Sequence, residues 1–114
     1  MQLLLGLNLL ASFVSATGGV IAASNPATLS GSTQVTSGER YYQRMYTVRT
    51  IPFELLSGLA PFYYTGPVVS LLVGVSAIVQ AADVAIGFGQ GDRGMIVGAS
   101  VATVIHTLCF MSMW

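Results

Sequence analysis

The sequence predicts an all-α integral membrane protein, a bundle of four helices around a polar interior cavity. Of its 114 residues 54% are hydrophobic and only 7% are charged, whereas a soluble domain carries about 25% charged residues. The apolar residues form runs near the roughly 20 residues that a spanning helix needs. These runs are uninterrupted, which is unlike the alternating strands of about 10 residues in a closed membrane barrel.

Four spans are predicted within a single domain, 1–114, at about residues 3–23, 45–64, 67–88 and 94–114. The first ends before Asn25-Pro26, because proline cannot continue a helix. We expect this span to be retained, since its apolar stretch is longer than that of a signal peptide and has no basic start. The small, polar residues 27–38 that follow predict a loop over the membrane surface.

The later spans are separated by two short connections. Pro52 and Pro61 predict kinks in the second span, which ends at the connection Tyr64-Thr65-Gly66. The third and fourth spans are separated by a glycine-rich turn, residues 87–92. This turn is interpreted as a helix end and linker, because it lacks the residue spacing of a phosphate-binding loop.

The arginines predict the orientation of the chain in the membrane. All four, Arg40, Arg44, Arg49 and Arg93, lie in or beside the first and third loops. Basic residues favour the cytosolic side, so these loops are predicted to be cytosolic and both termini to face away. A eukaryotic host would place such a protein in the endoplasmic reticulum membrane. The net charge of zero argues against a nucleic-acid partner, which requires a basic surface.

Each predicted span carries one stripe of polar or small residues at helical spacing. The stripes are Asn8, Ser12, Ser15 and Gly19; Tyr46, Thr50, Glu54 and Ser57; Ser76, Gln80, Asp83 and Gly87; and Ala99, Thr103, His106 and Phe110. Small residues alone would indicate only close helix packing. An ionisable group in the membrane, however, costs roughly 2.5–3.5 kcal/mol. The stripes are therefore predicted to converge on a polar cavity.

Depth along the helices predicts two pairs of ionisable groups. Asp83 and Arg49 lie at similar depth and are expected to pair, while Glu54 and His106 near the middle are candidates for a second, deeper pair. Two alternatives stay open. The Asp83–Arg49 pair could be structural, and His106 could hydrogen-bond Thr103 or a backbone carbonyl. The lone Cys109 excludes an intramolecular disulfide and a cysteine-rich metal site, and no metal site is predicted.

The order of these features resembles the DoxX-like and related families of small four-helix membrane proteins. The matching elements are a glycine-bearing first span ending in Asn25-Pro26, the Arg40-Tyr41-Tyr42-Gln43-Arg44 entry to the second span, Asp83 late in the third and His106 in the fourth. Within that group the chain is similar to the small integral-membrane epoxide hydrolases and cyclases of fungal polyketide pathways, such as those that make polyene-pyrone polyethers. The resemblance implies epoxide opening on a lipophilic intermediate.

Such a reaction needs an acid for the epoxide oxygen and a base for the attacking water or hydroxyl. Asp83 is predicted to be the base or the nucleophile, and Arg49 to keep it ionised. Glu54 or His106 would be the acid, and Tyr46 a donor to the substrate oxygen. Four polar residues of the stripes are predicted to bind substrate: Asn8, Thr50, Gln80 and Thr103.

The proposed reaction requires no cofactor. The predicted partners of the protein are a lipophilic small-molecule substrate and membrane lipids. Whether the chain forms a homo-oligomer is left open. Two other classes of function remain. A non-enzymatic membrane subunit or scaffold would have a filled interior with every ionisable group paired. A small proton-coupled transporter would use Glu54 or Asp83, although the first span has only Asn8 where known small multidrug transporters have a carboxylate.

Overall fold

Four long helices make up the computed structural model, which describes residues 1–25, 27 and 33–114. They are α1 (Gln2–Ser24), α2 (Ser37–Tyr63), α3 (Pro67–Gln90) and α4 (Arg93–Ser112), and no strand occurs among the described residues. The predicted all-α fold class is thus confirmed. Residue 26 and residues 28–32, which include part of the predicted first loop, lie outside the described part.

Helix α2 begins earlier than the second predicted span because a capping box fixes its start. The Thr36 hydroxyl accepts a hydrogen bond from the Glu39 amide at 3.1 Å, and the Glu39 carboxylate accepts one from the Thr36 amide at 3.1 Å. This reciprocal pair satisfies two backbone donors that a helix start leaves free. The helix then continues through Pro52 and Pro61 as one element.

Helices α3 and α4 form a tight antiparallel hairpin at the predicted glycine-rich turn. Gly91 adopts a left-handed φ of +67°, which glycine accepts without steric cost. The Asp92 amide donates to the Gly87 carbonyl at 3.0 Å. The Asp92 carboxylate then accepts from the Met95 amide at 3.0 Å and caps α4. The turn therefore ends one helix and starts the next within two residues.

Within the described part of the chain, three helices, α1, α3 and α4, are long and apolar enough to cross a membrane. These helices are compatible with an integral membrane protein. Helix α2 has the length, at 27 residues, but its arginines and glutamates make it more polar than the other three. Its insertion as a fourth span therefore stays a prediction, as does the retention of the first span.

The bundle consists of two closely packed hairpins that contact each other less extensively. Helix α1 packs mainly on α2 and α3 mainly on α4, with fewer contacts between α1 and α4 and between α2 and α3. Small residues permit the close approach within each hairpin. A Cβ atom added at Gly58 would lie 2.8 Å from the Ser12 Cβ, and one added at Gly74 would lie 3.0 Å from the Phe110 ring.

We predict that Gly58→Ala destabilises the α1–α2 hairpin. The new methyl group would overlap Ser12 across the helix contact, and overpacking of this kind costs about 1–3 kcal/mol. The matched control is Gly6→Ala on α1, where an added Cβ meets nothing within 4 Å. Thermal unfolding in detergent should show a lower Tm for Gly58→Ala alone. Equal melting temperatures would contradict close packing at this contact.

Candidate functional site

A cavity of about 1130 Å³ lies between the two hairpins and is lined by residues from all four helices. Six of the nine side chains predicted as site residues line it, all from α2 and α3: Tyr46, Arg49, Thr50, Glu54, Gln80 and Asp83. Most of the remaining lining is apolar. A volume near the upper end of the usual ligand-pocket range of about 300–1,000 Å³ is sufficient for a sizeable lipophilic molecule.

Glu54 is the most deeply placed carboxylate of this cavity, with only 1% of its surface exposed. The Gln80 side-chain amide donates to Glu54 Oε1 at 3.3 Å and to the Ser15 hydroxyl at 2.9 Å. The other carboxyl oxygen, Oε2, is buried and has no hydrogen-bond partner. Gln80 thus orients the carboxyl group through Oε1, while Oε2 is left without a hydrogen-bond partner in the described part of the protein.

Asp83 and Arg49 line the same cavity but do not form the predicted ion pair, since no nitrogen–oxygen distance between these two described residues is within 4.0 Å. The cause is the loose contact between α2 and α3, the helices that carry them. Both groups therefore face cavity space rather than each other. Arg49 is exposed and Asp83 is partly buried.

His106 is fully buried and forms a different pair from the one predicted with Glu54. Its Nδ1 lies 2.8 Å from Asn8 Oδ1. Because Asn8 Nδ2 donates to the Ser57 carbonyl at 2.9 Å, Oδ1 is the acceptor and His106 Nδ1 is the donor. Neither His106 nor Asn8 lines the cavity. The expected Glu54–His106 pair is absent because Asn8 on α1 lies opposite the imidazole.

Thr103 also does not contact the cavity. Its hydroxyl donates to the Ala99 carbonyl of its own helix at 2.7 Å. Back-bonding within a helix satisfies a threonine hydroxyl locally, so this side chain contributes no polar group to the site. Asn8, His106 and Thr103 are therefore the three predicted site residues that the structure places outside the cavity wall.

The polar stripes nevertheless converge inside the bundle, as the sequence predicted. The Ser76 hydroxyl donates to the Ser57 hydroxyl at 2.7 Å, next to the Asn8–His106 pair. Glu54 on α2 and Gln80 on α3 lie one helical turn farther from the chain termini than the two serines. Asp83 lies about one turn beyond Gln80 on α3. Besides Glu54 Oε2, two other buried polar atoms, Ser12 Oγ and His106 Nε2, have no partner among the described residues.

The polar core is closed at one end by apolar side chains. Leu5, Val73 and Cys109 form a buried cluster, one helical turn beyond Asn8, Ser76 and His106 respectively. Phe110 and Met113 pack against it. The layer of Asn8, Ser57, Ser76 and His106 is thus backed by apolar side chains on the side of the chain termini.

Four polar cavity residues lie outside both the predicted site and the predicted stripes: Tyr42, Gln43, Gln90 and Asp92. They line the end of the cavity near the start of α2 and the end of α3. Their signal was present in the sequence, because Tyr42 extends the α2 stripe one turn before Tyr46, and Gln90 extends the α3 stripe one turn beyond Gly87.

Fold and site together define a four-helix bundle of membrane type with a carboxylate-bearing cavity between its hairpins. The chain matches no family model, and neither a curated protein nor a solved structure shows significant similarity to it.

We predict that Asn8 and His106 are energetically coupled. Asn8→Ala and His106→Ala should each destabilise the fold, because each leaves a buried polar partner unsatisfied. The double variant should deviate from additivity by about 0.5–3 kcal/mol, as residues in contact do. His106→Ala combined with Thr17→Ala, whose hydroxyl bonds only within its own helix, provides the additive control. Unfolding free energies in detergent measure both cycles, and additivity in both would disprove the contact.

Proposed function

We propose that this protein is a membrane-embedded enzyme that opens epoxides of a lipophilic molecule, by hydrolysis or by cyclisation. The observation that carries the proposal is the presence of two carboxylates, Glu54 and Asp83, on the wall of one large, mainly apolar cavity. Epoxide opening needs one acid and one base. A site that excludes most water strengthens the interactions of fixed donors with the developing negative charge.

Glu54 is the acid in this mechanism. Gln80 holds Oε1, and the proton of the carboxyl group is transferred to the epoxide oxygen as the carbon–oxygen bond breaks. Asp83 accepts the proton of the attacking water, or of a hydroxyl of the substrate, as the new carbon–oxygen bond forms. The proton then returns from Asp83 to Glu54 through water in the open cavity, and the enzyme is unchanged.

Tyr46 and Arg49 support this chemistry from the same wall. The Tyr46 hydroxyl is a donor for the epoxide oxygen, and the Arg49 guanidinium supplies positive charge that stabilises the Asp83 carboxylate across the cavity. Thr50 and Gln80 are the polar contacts to substrate. Water reaches the site from the end lined by Gln43, Gln90 and Asp92.

The structure changes the role of His106 in the proposal. Its imidazole donates to Asn8 and does not reach the cavity wall, so it is not the acid. Asn8 and His106 instead hold α1, α2 and α4 together beneath the site. Thr103 has no role in substrate binding.

The two competing classes of function receive less support. A scaffold needs a filled interior with paired ionisable groups, whereas Glu54 Oε2 has no partner and Glu54 lines a large cavity. A transporter needs a path to both sides, whereas the Leu5–Val73–Cys109 cluster closes one end. The proposed location is a membrane, that of the endoplasmic reticulum in a eukaryotic host, with the arginine-bearing loops in the cytosol.

We predict that Glu54→Gln and Asp83→Asn each lower turnover of a lipophilic epoxide by about 10²–10⁴-fold, the usual contribution of an acid or base. Purified protein would be incubated with a panel of lipophilic epoxides, and mass spectrometry would detect a gain of water or an isomer of unchanged mass. Glu39→Gln, at the start of α2 and away from the cavity, is the matched carboxylate control. Full turnover by both folded cavity variants would refute the mechanism.

His106→Gln separates the revised mechanism from the one the sequence suggested. We expect lower thermal stability but wild-type turnover per folded molecule, because His106 contacts Asn8 rather than the substrate. Activity would be normalised to the monodisperse fraction on size-exclusion chromatography. A loss of turnover as large as that of Glu54→Gln would restore His106 as the acid.

A further inference from the structure

The two walls of the cavity differ in chemistry. The ionisable groups that face it from the helices, Arg49, Glu54 and Asp83, all belong to α2 and α3. The opposite wall, from α1 and α4, presents side chains such as Leu10, Val14, Val101 and Ile105. Ser15 is the hydroxyl that α1 adds to the lining, and it is already bonded to Gln80. A ligand that fits both walls is mostly hydrocarbon and carries its oxygen atoms on one side.

Helices α1 and α4 are joined by side-chain hydrogen bonds and a buried apolar cluster at the closed end of the bundle. Their hydrogen bonds join Asn8 to His106 and Ser112 to the Met1 sulfur, and Leu5 clusters with Cys109. Toward the other end the described residues of these two helices share no hydrogen bond or buried cluster, and a Cβ added at Gly18 or at Gly98 would meet nothing within 4 Å. Both glycines line the cavity.

These glycines lie at matching depth. Counted from the Asn8–His106 contact, Gly18 is about 15 Å along α1 and Gly98 about 12 Å along α4, at 1.5 Å per residue. Beside them, Val14 is 64% and Val101 54% exposed although both line the cavity. Such high exposure of side chains that line the cavity indicates that the cavity is open along these two helices, and α1 and α4 are both apolar enough to span the bilayer.

We propose that the gap between α1 and α4 is a lateral entrance through which a long-chain, lipid-dissolved epoxide reaches the carboxylates directly from the bilayer. This inference rests on the proposed function and names its substrate class, a chain-like hydrocarbon bearing an epoxide. The epoxide faces α2 and α3, and the chain lies along the apolar wall and extends between Gly18 and Gly98 into the lipid. Water enters separately, from the end near Gln43 and Gln90.

The entrance is tested by filling it. Gly98→Leu and Gly18→Leu each place a side chain in open space at the gap, and Gly6→Leu does so on α1 outside the cavity, as the matched control. Protein in phosphatidylcholine vesicles is exposed to a long-chain alkyl diazirine, which labels carboxylates on illumination. Peptide mapping then quantifies adducts at Glu54 and Asp83. This readout needs no turnover, so it is independent of the proposed reaction.

We expect both carboxylates to be labelled in the wild type and in Gly6→Leu, and labelling to fall about tenfold in the two gap variants, equivalent to about 1.4 kcal/mol of binding. An excess of a long-chain 1,2-epoxyalkane should suppress the labelling. Unlabelled carboxylates in the wild type, undiminished labelling in both gap variants, or labelling that the epoxyalkane does not suppress would each overturn the entrance or its occupant. Absence of epoxide turnover alone would overturn the reaction and leave the entrance standing.

Discussion

Asn8 ties three helices of the bundle together. Its amide nitrogen donates to the Ser57 carbonyl on α2 and its oxygen accepts from His106 on α4. In a hydrocarbon environment polar groups have no water to bond, so other protein groups must satisfy them. The two hydrogen bonds of the Asn8 side chain therefore fix the relative depth of α1, α2 and α4. The hydrogen bond between Ser57 and Ser76 adds α3 to the same layer. The positions of the other polar groups follow from that registration.

The cavity is a consequence of unequal packing. Small residues bring α1 close to α2 and α3 close to α4. The hairpins themselves are joined at the layer of Asn8 and His106, at the apolar cluster below it and, one turn above that layer, by the hydrogen bonds of Gln80 to Ser15 and Glu54. Beyond these contacts they separate, and the space between them receives the polar faces of α2 and α3. The end of the bundle near the chain termini thus stabilises the fold, and the other end contains the candidate site.

The buried polar groups at the packed end of the bundle differ from those at the cavity. The Asn8–His106–Ser57 set is bonded mostly to other protein atoms, which is expected of groups that specify a packing arrangement. Glu54 differs, because one oxygen is held by Gln80 and the other has no protein partner. A buried polar atom without a partner calls for an explanation, and the residue that carries this one lines the cavity. Our functional proposal starts from that difference.

The sequence by itself determined the fold class and the polar interior. Runs of apolar residues predict helices, and a period near 3.6 residues places Glu54, Gln80 and Asp83 on inward faces whatever the details of packing. Helix α2 extends before the predicted span, about 45–64, because the Thr36–Glu39 capping box starts the helix at Ser37, a signal that the sequence contains. Tyr42 and Gln90 were missed for a similar reason, since the stripes were ended one turn too early.

Tertiary structure alone decided which polar groups meet. Depth along the helices predicts that Asp83 pairs with Arg49 and Glu54 with His106. Depth does not determine how far each helix is rotated about its axis or how far neighbouring helices stand apart. The spacing between α2 and α3 keeps Arg49 and Asp83 unpaired, and the rotation of α1 places Asn8 rather than Glu54 against His106. Both quantities depend on side-chain packing between segments distant in sequence, which no local pattern of residues encodes.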